Sequence, residues 1–176
     1  MKQRVNDVPG DSSPRHPAYS RWINLLRREK SDPNVYAGVT ICDEWYTYST
    51  FKAWITSHDD WENLQIDKDL IVPGNKHYSP QTCAMIPAHI NRFMVDGSKG
   101  AEYLPGVTLT KNKTNPYGAR MHVTENGKSK VVNLGYHRTE AEAHAAWKTA
   151  KHKRACEFAD GIQDQHIANA LRTRYL

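Results

Sequence analysis

The chain has 176 residues, with 24 Lys and Arg against 19 Asp and Glu and only three cysteines. That length holds one domain or two small ones, and Cys42, Cys83 and Cys156 are too scattered and too few for a secreted disulfide framework or a paired-cysteine zinc site. No apolar run reaches the roughly 18 residues of a membrane helix and the first residues lack a hydrophobic signal core, so a soluble, cytoplasmic protein without a membrane partner is expected.

Residues 1–15, rich in Pro, Ser, Asp and Gly, read as a flexible lead-in. Pro17 suits a first helical turn, and Tyr19, Trp22, Ile23 and Leu26 recur with helical spacing, predicting a helix that stops near SDPN. VYAGVTIC reads as extended, and a second helix is predicted around 49–57 with Phe51, Trp54 and Ile55 on one side. LQIDKDLIV alternates like a strand, PGNKHYSP is a turn-rich loop, CAMI is a short strand, and Pro87 opens a third helix that buries Ile90, Phe93 and Met94. Residues 16–95 thus form the first expected domain and 96–103 a Gly-rich linker.

The domain expected over 104–159 begins with three strand candidates: Val107 and Leu109; Ala119, Met121 and Val123; Val132 and Leu134. TENGK carries an Asn-Gly hairpin signal. Thr139 and Glu142 make a capping box for a helix whose buried face holds Ala143, Ala146, Trp147, Ala150 and Arg154. A short C-terminal helix is expected within 160–176. The expected class is α+β: a helical N-terminal region with a strand-strand-helix unit, then a three-stranded antiparallel sheet packed on one helix.

Charge and chemistry follow this organisation. Residues 104–158 hold ten Lys and Arg against four Asp and Glu, a net +6, whereas 1–103 carry −1 and 159–176 are neutral. Clustered basic groups release condensed counterions from a duplex, which a dispersed excess does not do. Strand parity predicts an open face bearing Gly118, Arg120, His122, Thr108, Thr110 and Asn112, with Lys111, Lys113, Lys128 and Lys130 near the hairpin ends. Such a face fits a major groove, and equally an ordinary solvated sheet surface. In the first domain Asp67, Lys68 and Asp69, followed by Asn75, His77 and Asn91, offer oxygen ligands for one divalent cation, most simply Mg2+, and an imidazole base. As ordinary structure the same residues are a solvated strand, an exposed turn and a hydrogen-bonded helix residue.

Two resemblances sharpen these readings. PGVTLTKNK, YGARMHV, NLGYHRTEAEAHAAW and AKHKRA are similar to the plant Apetala/ethylene-response type of DNA-binding domain, also found in mobile-element and phage proteins; the resemblance implies that the sheet enters the major groove of double-stranded DNA. The third strand is longer here, through GKSKVV, and the strands lack tryptophan. HPAYSRWINLLRRE, GVTICDEW, FKAWI, LQIDKDL, GNKHYSPQTCAMIP and HIN resemble phage endonucleases of the His-Asn-His class. That resemblance implies a two-stranded hairpin and helix around one metal ion, with Asp67 and Asn91 as ligands. Lys68 stands where the usual catalytic His would be, and Thr82 at the middle Asn position, so a base would come from His77, or else His16 or His89. The expectation is a metal-dependent DNA endonuclease with Asp67, Lys68, Asp69 and His77 at its centre. A catalytically silent DNA-binding protein, a phage regulator or counter-defence factor, is the alternative. RNA remains a third target class.

Overall fold

The computed structural model describes residues 2–13, 15–30, 36–97, 101–125 and 128–176. The chain divides into two compact units, Met1–Pro87 and Ala88–Leu176. Mixed helix and sheet, with a three-stranded antiparallel sheet on a helix, make the fold α+β. The SDPN helix stop and the Asn126-Gly127 turn lie outside the described residues.

In the first unit, α1 (Pro17–Arg28) starts with proline in its first turn and buries Ala18, Trp22 and Leu25. α2 (Tyr48–Thr56) buries Tyr48, Phe51 and Ile55. Trp22, Trp45, Tyr48 and Phe51 are fully buried together, and the Trp22 indole donates to the Trp45 carbonyl at 2.6 Å. Large rings fill a small core efficiently provided that their polar edges are satisfied.

Residues 2–13 are more tightly held than a loose lead-in. Val5 bridges Thr47, and Asp7 accepts from the Ser49 backbone N–H at 2.9 Å. Thr47 makes no side-chain cap for α2, so Asp7 satisfies a first-turn donor and places negative charge at the positive helix end.

Among the described residues, four short strands belong to this unit. β1 (Thr40–Ile41) pairs in parallel with β3 (His77–Tyr78), and β2 (Leu64–Asp67) pairs antiparallel with β4 (Ala84–Pro87). The alternating LQIDKDLIV segment ends its strand at Asp67, because one carboxylate oxygen accepts from the Asp69 and Leu70 N–H groups at 3.0 and 2.7 Å. That side chain folds the chain into a turn where the ladder would otherwise continue.

The second unit begins with α3 (Ala88–Phe93), ahead of the expected 96–103 linker. Its apolar side explains the placement: Ile90, Phe93 and Met94 are buried, and the Phe93 ring meets Phe158 and Tyr175 at centroid distances of 5.1 and 5.9 Å. β5 (Val107–Leu109), β6 (Tyr117–Glu125) and β7 (Lys128–His137) form the sheet in that spatial order. A bulge follows Ala119: it pairs with Gly135, while Arg120 pairs with Asn133, leaving Leu134 as the extra residue.

α4 (Glu140–Asp160) packs on the sheet and begins with both hydrogen bonds of the Thr139/Glu142 capping box. Its buried row is Ala143, Trp147, Lys151, Ala155 and Ala159, so Lys151 occupies the place expected for Ala150. α5 (Gln165–Thr173) starts later than Ile162 because Asp164 accepts from the His166 and Ile167 N–H groups and caps it there.

Candidate functional site

The sheet's two faces differ as alternation requires. Val107, Ala119, Met121 and Val123 are buried, while Arg120 and His122 are exposed. Cross-strand pairing puts Asn133 opposite Arg120 and Val131 opposite His122, so these four share the open face. Thr108 stands opposite Gly118, and its hydroxyl donates to the Gly118 carbonyl at 3.4 Å.

Three sequence expectations change here, at Gly118, Leu109 and Thr110, and the strand register refines a fourth. Gly118 is buried rather than open, because Thr108, Thr110 and Tyr136 side chains close over the space a Cβ would occupy. Leu109 is 56 % exposed, lying two residues beyond the Val107 level at which the small cluster of Val107, Ala119 and Ala143 closes. Lys128 and Lys130 pair with Glu125 and Val123. They therefore have the parity of the helix-covered face and do not join Arg120, although both are exposed near the hairpin end. Thr110 is half-buried, accepting from the Asn112 N–H at 3.3 Å, which leaves its hydroxyl partly spent on the loop.

That loop between β5 and β6 presents Lys111 and Lys113 fully to solvent. The Asn112 carboxamide oxygen accepts from the Thr114 and Asn115 N–H groups, both at 3.0 Å, so the tip is a defined turn carrying two cations. The second unit has 14 Lys and Arg against 8 Asp and Glu, a net +6, while the first has 10 against 11, a net −1.

In the first unit a different set converges. The Asn75 amide donates to the carbonyls of Lys68 and His77, each at 2.7 Å, and its oxygen accepts from the His77 N–H at 3.0 Å. One side chain therefore pins the Asp67–Asp69 turn beside His77. Thr82 also donates to the His77 carbonyl at 2.7 Å, and Thr40 meets the His77 Nδ1 at 2.9 Å. Asn75 and Thr82 thus act as backbone clips.

Asp67 is 8 % exposed, and burial, then the charge of Asp69, raises its carboxyl above the ordinary range. Lys68 lies 3.4 Å from Asp69.

The other expected residues belong to other elements. His16 faces Asp11 at 3.6 Å and Tyr48 at 3.4 Å, in a network completed by the 2.7 Å Lys52–Asp11 ion pair. Asn91 and His89 belong to α3 in the second unit, whereas Asp67 belongs to the first. Among the described residues, no three His, Cys, Asp or Glu side chains are grouped to hold a metal ion. One Asp67 carboxylate oxygen accepts from two backbone donors, which leaves the other as the oxygen a cation could use.

Sequence reasoning missed Lys151. It is 4 % exposed, donates to the Phe93 carbonyl, lies 2.8 Å from Asp96, and sits 3.9 Å from the Phe93 ring centroid and 4.9 Å from that of Tyr175. Burial lowers its pKa, and Asp96 opposes that shift. Nothing in AKHKRA separates this lysine from its solvated neighbours except its i+4 spacing from Trp147.

Comparison of the chain with protein-family models, curated proteins and solved structures finds no match. Among the described residues, no helix is long and apolar enough to cross a membrane.

Proposed function

We propose that this chain binds double-stranded DNA through the open face of β5, β6 and β7. The observation that carries this reading is the exposed Arg120 and His122 pair, flanked by Asn133 and Thr108, in the unit that holds all of the net positive charge. A narrow antiparallel sheet fits a major groove about 12 Å wide, where a guanidinium pairs with the O6 and N7 acceptors of guanine. Lys111 and Lys113, at the tip of the β5–β6 loop, suit phosphates. The bulge opposite Arg120 lies in β7, where Leu134 is the extra residue, and local twist increases at such a place.

The test is titration of labelled duplex with the full chain and with Arg120→Ala. A bidentate base contact predicts a loss on the order of 1–3 kcal/mol. Unchanged affinity removes the face from the interface, and stronger binding to RNA than to DNA overturns the choice of target.

Phosphodiester cleavage is the second reading, favoured by the Asn75 clip that holds Asp67, Lys68 and Asp69 beside His77. Among the described residues no three His, Cys, Asp or Glu side chains gather there, so no hydrolytic step is assigned to them. Incubating supercoiled DNA with the protein and Mg2+ or Mn2+ decides the matter. The DNA-binding reading predicts no nicking, whereas nicking abolished by Asp67→Asn makes this turn a nuclease centre.

A further inference from the structure

β5 is paired with β6 only as far as Ala119, so the outer edge of β6 from His122 onward lacks a strand partner from β5. α3 packs beside β6 in that region. Between them and the last turns of α4 is a cavity of about 70 Å3, lined among others by His89, Arg92, His122, Ser129, Arg154 and Phe158. All of these belong to the second unit.

The chemistry of this lining is one-sided. Among the described residues its ionisable groups are two guanidiniums and two imidazoles, with no carboxylate in the wall. Arg154 is partly neutralised by Glu157 at 2.7 Å, and its guanidinium lies 4.8 Å from the Phe158 ring centroid. The His89 ring meets Phe158 edge-on at 5.3 Å. Phe158 thus fixes two of the polar groups, which lowers the ordering cost of binding. Arg92 is exposed, and His122 reaches the cavity from the sheet's open face. Five N–H donors per guanidinium, and at least one per imidazole in either charge state, suit the many acceptor lone pairs of one tetrahedral oxyanion. A space of about 70 Å3 admits one such group and is too small for a nucleobase.

We infer that this cavity is a phosphate site, filled by one phosphoryl group held between Arg92, Arg154 and the two imidazoles. Because His122 belongs to the same face as Arg120, a duplex lying on the sheet would bring a backbone phosphodiester to the cavity. That source rests on the DNA-binding reading; the affinity for phosphate itself does not.

The experiment titrates inorganic phosphate into the full chain at constant ionic strength while the imidazole proton resonances of His89 and His122 are followed by NMR. Saturable shifts of both rings are expected, at least tenfold weakened in Arg92→Gln and in the Arg92→Gln/Arg154→Gln pair. The single variant changes an exposed side chain, so it tests the site even if the double variant folds poorly. No saturable shift in the unsubstituted chain, or an undiminished one in a folded Arg92→Gln variant, overturns the site. Duplex binding across a salt series then separates the sources. A log–log slope shallower by about one in the variant assigns the site to a DNA phosphate. An unchanged slope with phosphate binding intact assigns it to free phosphate. Phosphate binding by a chain that ignores duplex DNA sinks the DNA reading and leaves the site standing.

Discussion

Asp67 shows how one side chain can look catalytic in sequence and serve as a turn in structure. Its acidic neighbours suggest a ligand cluster, yet its oxygen closes the chain onto the Asp69 and Leu70 amides. Asp67→Ala should cost about 1–3 kcal/mol, since both amides lose their acceptor, whereas Asp67→Asn keeps an acceptor oxygen. The sign of the pH effect follows from the raised folded-state pKa. The associated stabilisation is present below the unfolded-state pKa and is lost as pH rises through the folded one. Asp67→Asn should therefore be at least as stable as the parent at neutral pH and should lack this acid-side gain. Denaturant unfolding at acid and neutral pH measures both; an Asn variant much weaker than the parent at neutral pH would mean that the negative charge itself is needed. This role was not legible in the residues alone, because an Asx turn and a metal ligand draw on the same composition.

Elements with self-contained signals were the legible part of the fold. Pro17, the Thr139/Glu142 box and the alternation of β6 from Ala119 to Val123 each concern neighbours within a few residues, and each takes the expected form. The parallel β1–β3 pair, the Asp7 cap of α2 and the bulge after Ala119 join residues distant in sequence or break a period, so local patterns did not disclose them. The cap of α4 makes a direct prediction: Thr139→Ala should lower stability by about 1 kcal/mol, read as a shifted denaturation midpoint with unchanged slope. Gly106 makes a stronger one. Its φ is +80° and a Cβ there would stand 2.0 Å from a Trp147 ring atom. Gly106→Ala should thus cost about 2 kcal/mol or more, through both the left-handed backbone and the displaced indole. A thermal midpoint equal to the parent's would show that the turn and ring readjust freely.

For the whole molecule, the two units differ first in charge. The sequence located the basic excess correctly, but only the strand register separates Arg120 and His122 on the open face from Lys128 and Lys130 on the other. The acidic centre was less legible still, since the Asp67 oxygen that closes the turn onto two backbone N–H groups belongs to a residue type that serves equally as a ligand. A chain that binds by counterion release must lose affinity steeply as salt rises.

The most direct measurement is therefore fluorescence anisotropy of a labelled DNA duplex titrated with the full chain from dilute to physiological salt. Saturable binding with a negative log–log salt slope, weakened by Arg120→Ala on the order of 1–3 kcal/mol, is the predicted result. Absence of binding even in dilute salt, or equal binding by the two proteins, would contradict it.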